Sequence, residues 1–128
     1  AWVDEIEKSL INREIDVAIH SGKDLPNNII NGTKLISVSK RLYPFDVFIG
    51  KKTDNGRVKF NDLKKDNVIG TASIRRRRFI LASNSDLKVV DHRGNVNTRI
   101  LKLDADKTLS GIVLAEAGIV RLGLTVNY

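Results

Sequence analysis

The chain has 128 residues, of which 41% are hydrophobic and 29% are charged, an ordinary balance for one globular domain or for parts of two. It carries 22 Lys and Arg against 15 Asp and Glu, a net charge of +7, so acidic partners are favoured: nucleic acid, an anionic membrane or a polycarboxylate ligand. The absence of cysteine excludes disulfides, thiolate metal sites and cysteine nucleophiles within this sequence, and no apolar run approaches the roughly 20 residues that span a bilayer.

The first part of the chain predicts one helix and two strands. Residues 1–14 carry apolar side chains at i, i+3 and i+7, which is typical of an amphipathic helix. Asp16–His20 and Leu35–Ser39 have the alternating pattern of short strands. The loop Ser21–Pro26 follows the first of them, and its side chains are mostly polar. Lys40–Pro44 is the predicted domain boundary, because a proline after a charged pair commonly marks a chain crossing.

The rest of the chain alternates predicted strands and helices. The strands are Asp46–Gly50, Val68–Gly70, Leu87–Val90 and Gly111–Ala115. The first helix is predicted from about Ser73 to Ala82, with Ser73 as its N-cap. The second follows the N-cap Asn95, with Val96, Ile100 and Leu103 on its apolar side. The third begins at Ile119. Apolar strands without alternation favour a mainly parallel α/β sheet covered on both faces. Ligands of such sheets bind beyond the carboxyl ends of the strands.

The turn Gly70–Ser73 and the arginines after it predict an anion site. A strand that turns directly into a helix presents unpaired N–H groups and the positive end of the helix dipole. Arg75 and Arg76 add guanidinium groups that fit carboxylate or phosphate, and they oppose the dipole unless an anion is present. Arg77 and Arg78 are rotated further round the helix, so we expect them to be solvated or stacked along it. A merely solvated basic face is the alternative.

The segment His92–Arg99 repeats this arrangement. Arg93 stands at a strand end and Arg99 in the first turn of the next helix, while Gly94 allows positive φ or close approach to a ligand. Taken alone, the segment fits an anion site or an ordinary loop equally well. Two arginine-bearing turns of one sheet are expected to face the same edge, which favours the anion site.

Asp24 is the most informative acid in the chain. It lies in a polar loop beside Lys23, and a carboxylate there could stabilise a developing cation or shuttle a proton. The alternative is an aspartate that merely starts a turn before Pro26. Neither His20 nor His92 has a partner at metal-ligand spacing, so no metal site is expected and both are interpreted as structural.

Four segments, in order along the chain, resemble the motifs of the porphobilinogen deaminase (hydroxymethylbilane synthase) family. His20–Pro26 is similar to its HS-x-KD-x-P loop, and Gly70–Arg76 to its GT-S-S-x-RR turn. Arg93–Arg99 is similar to RGNV-x-TR, and Leu114–Gly123 to LA-x-AG-x-x-RLG. The resemblance therefore extends across the whole chain.

This resemblance implies an enzyme of tetrapyrrole biosynthesis, a deaminating transferase that joins four porphobilinogen units into hydroxymethylbilane and releases ammonia. Asp24 matches the catalytic aspartate, which would stabilise the positively charged pyrrole and azafulvene intermediates. The positions that match the site of its dipyrromethane cofactor, the covalent primer, are Ser21, Lys23, Asp24, Thr71, Ser73, Arg75, Arg76 and Arg99. Those that match the substrate site are Arg93, Gly94, Arg99 and Arg121.

The family fold implies a periplasmic-binding-protein-like arrangement, with mainly parallel sheets and flanking helices. Residues 1–42 would then be the C-terminal part of domain 1 and residues 43–128 domain 2, with the family's third domain and the N-terminal part of domain 1 absent. The resemblance also implies a cytoplasmic, monomeric parent that acts on porphobilinogen without nucleic acid or membrane. The primer-bearing cysteine of the family has no counterpart here, and the chain lacks an initial methionine. We therefore expect a piece of a longer enzyme that is inactive alone.

Two other functions are compatible with the basic residues. A nucleic-acid-binding module could use Arg75–Arg78, although only 5% of residues are aromatic and the arginines are divided among several turns. A non-catalytic anion-binding protein of the same α/β architecture is the second alternative.

Overall fold

The computed structural model describes residues 2–124, apart from the side chain of Trp2. The chain divides into two units, Ala1–Lys40 and Arg41–Tyr128. The predicted assignment of the two parts to domains of a larger protein is a separate matter and stays a prediction. Within the described residues, no helix has the length and apolar character needed to cross a membrane.

The first unit contains helix α1, Trp2–Ile11, and a 3-10 helix, Gly22–Asp24. The predicted amphipathic helix is confirmed, but it ends at Ile11 rather than at residue 14. Arg13 has a positive φ of 59°, which turns the chain out of the helix. The backbone N–H of Arg13 donates to Leu10 O and that of Glu14 to Ser9 O, the pairing of a Schellman motif that satisfies the last carbonyls of the helix.

The two strands predicted in the first unit are wrong. Among the residues that the structure describes, neither Asp16–His20 nor Leu35–Ser39 joins a strand ladder. Their alternating apolar side chains remain largely in water, with Ile19 93% and Val38 77% exposed. The alternation indicates a strand, but a strand also needs a neighbour that pairs with its backbone N–H and C=O groups. The loop Ser21–Pro26 consequently follows an irregular segment.

The second unit is built on a four-stranded sheet. Its strands are β1 (Asp46–Gly50), β4 (Val68–Gly70), β5 (Lys88–Val90) and β6 (Leu109–Ala115), and a separate hairpin consists of β2 (Lys52–Thr53) and β3 (Gly56–Arg57). The strand order in the sheet is β1-β6-β4-β5. The helices are α2 (Ile74–Ser83), α3 (Val96–Ala105) and α4 (Glu116–Arg121), and Phe60–Asp62 forms a 3-10 turn. All four strands predicted for this part are confirmed.

The sheet is mainly parallel, with one exception at its edge. Strand β4 pairs parallel to both β5 and β6, as expected for strands that alternate with helices. Strand β1 instead pairs antiparallel to β6, with Asp46 opposite Ala115. The sheet is therefore mixed, and the first residue of β1 lies beside the last residue of β6.

Both faces of the sheet are covered by apolar side chains, as predicted. On one face, Leu103 of α3 and Ile119 of α4 pack with sheet residues that include Ile112 and Leu114. On the other, Ile80 of α2 packs with Ile69 and Val113. Strand β6 supplies both clusters, since successive side chains point to opposite faces. This double burial explains why its sequence is apolar without alternation.

Local signals explain where the helices of the second unit begin. Ser73 caps α2 by accepting the backbone N–H of Arg76, and Asn95 caps α3 by accepting that of Thr98, so both predicted N-caps are confirmed. Helix α4 was predicted from Ile119 but begins at Glu116. Gly118 within its first turn has low helix propensity, which concealed the start. The helix can nevertheless begin at Glu116, because an acidic side chain in the first turn complements the helix dipole.

Substitution of Gly50 tests how tightly the backbone that follows the hairpin packs against β1. An added Cβ would lie 1.8 Å from Val58 O, a backbone atom that cannot move aside. We expect Gly50→Ala to lower the free energy of unfolding by at least about 1–3 kcal/mol through overpacking. Urea unfolding followed by circular dichroism would measure the loss.

Gly118→Ala is the matched control for this substitution. Its Cβ would meet Val96 Cγ2 at 3.4 Å, an ordinary contact, within a helix that favours alanine. Its stability should be unchanged or increased by up to about 1 kcal/mol. Equal stabilities for the two variants would contradict this packing.

Candidate anion-binding site

Three connections of the second unit meet at one edge of its sheet. Strands β4, β5 and β6 run parallel, so the turn Gly70–Ser73, the loop from Asp91 to Asn95 and the start of α4 all follow strand ends on the same side. We call this side the carboxyl edge. The prediction that the arginine-bearing turns of this unit face one edge is confirmed.

The turn after β4 is held by its own polar groups. Thr71 is buried; its backbone N–H donates to Val90 O at 2.9 Å, and its Oγ1 accepts the N–H of Ser73 at 3.2 Å. Gly70 leaves space for His92, since an added Cβ would lie 2.8 Å from His92 Cβ. Contacts within the protein thus fix the turn to β5 without the help of a ligand.

Arg75 and Arg76 share a counter-ion that the sequence analysis did not identify. Asp46 Oδ1 accepts Nε and Nη2 of Arg76 at 3.0 and 2.8 Å. Asp46 Oδ2 accepts Nη2 of Arg75 at 2.9 Å. Because β1 is antiparallel, its first residue reaches the carboxyl edge and meets the start of α2. The unfavourable placement of two arginines at a helix N-terminus is thereby partly offset within the chain itself.

The two arginines differ in how accessible they remain. The Arg76 side chain is 12% exposed, and its Nη1 also donates to Val113 O at 3.2 Å. The Arg75 side chain is 62% exposed. Arg76 is therefore anchored to the sheet, whereas most of the Arg75 side chain faces water and is available to an anion.

The next two arginines of α2 also differ from each other. Arg78 is exposed, as predicted. The prediction that Arg77 is solvated or stacked along the helix is wrong, because its Nη1 donates to Val89 O at 2.7 Å and its Nη2 approaches Asp91 at 3.3 Å. Since β5 lies beside the helix, a side chain as long as arginine reaches the strand carbonyl and ties α2 to the sheet.

The loop after β5 brings two further arginines to the carboxyl edge. Arg93 is mostly exposed and pairs loosely with Asp91 at 3.3 Å. Gly94 has a φ of +133°, a conformation that glycine adopts readily, and its carbonyl accepts Arg99 Nε at 2.7 Å. Arg99 is thus held against the loop, while Arg93 extends from it.

His92 is a structural residue, as predicted. It is buried, and its Nε2 lies 3.0 Å from the carbonyl oxygen of Arg99. A carbonyl only accepts, so Nε2 carries the proton in this contact. The hydrogen bond connects the end of β5 to the first turn of α3.

Arg76 and Arg99 are close enough for their like charges to interact. Burial lowers the pKa of Arg99, and the positive charge of Arg76 lowers it further. At Asp46, burial raises the pKa of the carboxyl, but hydrogen bonds and charge from Arg76 and then Arg75 leave that pKa below its ordinary value. The carboxyl edge is therefore positive, with Asp46 ionised at neutral pH.

The remaining predicted residues belong to other elements of the chain. Arg121 is exposed in the last turn of α4. In the first unit, Ser21 precedes the 3-10 helix that contains Lys23 and Asp24, and all three are exposed. The backbone N–H of Asp24 donates to Ser21 O at 2.9 Å, which closes this turn. Asp24 and Lys23 are thus presented together on one short, exposed turn.

The family model described as porphobilinogen deaminase, dipyromethane cofactor binding domain, matches residues 1–128. The chain belongs to the porphobilinogen deaminase family. The resemblance that the four motifs carry is therefore confirmed.

Curated porphobilinogen deaminases match nearly all of the chain. The chain is 47% identical over 123 residues to the one from Thermus thermophilus, a match that covers 96% of this chain and 39% of the relative. It is 46% identical over 121 residues to the one from Desulforudis audaxviator, covering 94% and 38%. The relative from Clostridioides difficile is 44% identical over 123 residues, covering 96% and 40%. The chain thus spans about two fifths of the length of these relatives.

Asp46 is the residue at this edge that sequence reasoning missed. It was interpreted only as the start of a strand, and it lies 29 and 30 residues before its two arginines. One signal could have found it: two arginines at a helix start need a counter-charge, and Asp46 is an acid at the start of an otherwise apolar strand. The direction of that strand, which brings it to the carboxyl edge, has no local signature.

The depressed pKa of Asp46 makes its contribution to stability depend on pH. A carboxyl whose pKa is lower in the folded state stabilises fully above the unfolded value, about 3.9, and the effect is lost as pH falls through the folded value. At pH 7 we expect Asp46→Asn to cost about 1–2 kcal/mol of unfolding free energy, a figure reduced for the 26% exposure of the side chain. Below about pH 4 the difference from wild type should shrink.

Denaturant unfolding of wild type and Asp46→Asn between pH 3 and 7 would measure this difference. Asp91→Asn is the control, because Asp91 is 62% exposed and its two ion pairs are 3.3 Å long. It should change the free energy of unfolding by less than about 1 kcal/mol at every pH. An Asp46→Asn cost that stays constant to the lowest pH would refute the assignment.

Proposed function

We propose that the protein containing this chain is a porphobilinogen deaminase, which joins four porphobilinogen units into hydroxymethylbilane and releases ammonia. The observation that carries the proposal is the clustering of exposed and anchored arginines at the carboxyl edge, within a chain that matches the family along residues 1–128. Each pyrrole unit of porphobilinogen bears two carboxylates. A growing chain of such units requires several guanidinium groups on one surface.

The residues of the carboxyl edge fit a dipyrromethane cofactor, whose acetate and propionate groups are anions. Exposed Arg75 offers N–H groups beside the N-terminus of α2, and Arg99 is fixed in the first turn of α3. In the proposed site these two, with Ser73 and Arg76, hold the cofactor carboxylates. Thr71 fixes the turn that carries Ser73, because its hydroxyl accepts the Ser73 N–H. When bound, the cofactor supplies the pyrrole end to which the first substrate unit is joined.

Substrate carboxylates are assigned to the exposed Arg93 and Arg121 and to the partly buried Arg99. Arg93 extends from the loop after β5, next to Gly94, whose lack of a side chain permits close approach of a ligand to the backbone. Arg99 serves both ligands in this proposal, and Arg121 is the third substrate arginine. Each of these groups orients substrate by paired hydrogen bonds and takes no part in bond breaking.

Asp24 is the proposed catalytic residue. Loss of ammonia from porphobilinogen leaves a positive charge on the pyrrole, and a carboxylate close to that charge stabilises it. The exposed turn that carries Asp24 also presents Lys23 and Ser21, which are proposed to contact cofactor carboxylates.

The wider protein is proposed to have the family's architecture. Residues 1–42 would belong to its first domain and residues 43–128 to its second, in a periplasmic-binding-protein-like arrangement. The covalent link to the cofactor requires a cysteine, and the chain has none, so the link lies outside these 128 residues. The chain alone is therefore proposed to be inactive. The whole enzyme is proposed to be a cytoplasmic monomer that requires neither nucleic acid nor membrane.

Asp24→Asn tests the assignment of the catalytic residue. In a protein of the relatives' full length that contains this chain, the substitution should lower turnover by at least about a hundredfold, because the amide cannot stabilise the developing cation as a carboxylate does. Ammonia release and uroporphyrin colour from added porphobilinogen would measure it.

Asp16→Asn is the matched control, since Asp16 is another exposed aspartate of the first unit. It should leave turnover unchanged. Nearly full turnover in Asp24→Asn would show that Asp24 is not the catalytic acid, and a wild-type protein that releases no ammonia would contradict the proposed function itself.

A further inference from the structure

Asp46 is an acid at the edge that carries Arg75, Arg76, Arg93 and Arg99. An unpaired carboxylate beside a carboxylate-binding site would repel the ligand, so its presence there requires a reason. The geometry supplies one: both of its oxygens are used, Oδ1 by Arg76 and Oδ2 by Arg75. Asp46 therefore acts on ligands through the arginines that it holds.

The hydrogen bonds hold Arg76 more tightly than Arg75 and leave Arg75 more of its donors for a ligand. All three guanidinium nitrogens of Arg76 are engaged, Nε and Nη2 with Asp46 and Nη1 with Val113 O. A guanidinium has five N–H groups, and the structure gives Arg75 a single hydrogen bond to Asp46 through Nη2. With 62% of its side chain exposed, Arg75 keeps most of its donors for a ligand.

The charges at this edge explain why the arginines need to be held. The positive charge of Arg76 already acts on Arg99. Arg75 and Arg76 both lie in the first turn of α2, where the helix dipole also disfavours positive charge. Without a carboxylate between them, a long and flexible side chain such as Arg75 would turn away into water. Binding would then require it to be ordered again.

We propose that Asp46 is a positioning residue of the anion site, which fixes Arg76 against the sheet and holds Arg75 so that its remaining N–H groups face a ligand carboxylate. The identity of that ligand, the dipyrromethane cofactor, rests on the proposed function. The positioning itself rests only on the contacts within the second unit. The opposite role would be that of an internal competitor, in which Asp46 occupies the donors that the ligand needs. The single hydrogen bond from Arg75 favours positioning.

The first test does not depend on the proposed function. Hydrogen exchange between water and the Nε–H of Arg76, observed by nuclear magnetic resonance in the 128-residue chain, reports whether this group is held by Asp46. Asp46→Asn should increase that exchange rate about tenfold or more, because it weakens a hydrogen bond between two charged groups. Asp91→Asn, which leaves the Asp46 pair intact, should not. An unchanged rate in Asp46→Asn would overturn the proposal.

The second test measures ligand positioning in a protein of the relatives' full length. Intact-mass measurements would follow how fast the apo-protein acquires its covalent cofactor from porphobilinogen. Asp46→Asn should slow acquisition about tenfold, since the loss of one charged hydrogen bond has that magnitude. Asp46→Glu, which keeps the charge, should restore part of the rate, and Asp104→Asn, which removes the ion-pair partner of Arg57 instead, should leave it unchanged.

A double-mutant cycle separates positioning from a general loss of structure. If Asp46 acts through Arg75, then Asp46→Asn should slow acquisition much less in an Arg75→Gln background than in wild type. An equal slowing in both backgrounds would overturn the role of Arg75. Acquisition as fast as wild type, or faster, in Asp46→Asn would overturn positioning, and a faster rate would favour the internal competitor. If wild type acquires no cofactor, the proposed function fails, while the exchange experiment still decides what Asp46 holds.

Discussion

The ion pair between Asp46 and the arginines at the start of α2 is the interaction on which the candidate site depends. It joins the edge strand β1 to the first turn of a helix that follows the central strand β4. Arg76 extends the connection to β6 through Val113 O. One carboxylate thus links two strands and a helix at the edge where ligands bind in α/β sheets. The antiparallel direction of β1 makes this possible, since a parallel strand would carry its first residue to the opposite edge.

Two glycines in the sheet, Gly70 and Gly111, allow neighbouring side chains to pack closely against its backbone. Gly70 ends β4 under the ring of His92, and the hydrogen bond from that ring then holds the first turn of α3. Gly111 in β6 leaves space for the Phe48 ring, since an added Cβ would lie 2.2 Å from it. The positions of Arg75 and Arg99 are therefore consequences of backbone packing as well as of charge. Tight packing keeps the backbone that carries these arginines in place, although their like charges repel one another.

The sequence predicted the parts of this fold whose causes are local. The caps Ser73 and Asn95 lie within three residues of the N–H groups they accept, and the buried strands are short apolar runs. The prediction of strands at Asp16–His20 and Leu35–Ser39 was wrong, because strand formation also requires a pairing partner that is distant in sequence. The direction of β1 and the pairing of Asp46 are also non-local. The site was therefore predictable as a set of arginines at one edge, but not as an arrangement with its own counter-ion.

Arginines at a helix N-terminus form a local conflict, and such conflicts are expected where function requires them. The structure resolves half of this conflict: Arg76 is neutralised and nearly buried, whereas Arg75 shares the same carboxylate and remains largely in water. Full neutralisation would have required a second acid and would have removed the affinity for anions. No neutralisation would have left the helix start opposed by two charges. A single carboxylate shared between two guanidinium groups leaves a net positive charge in a defined position, which is what recognition of an acidic ligand requires.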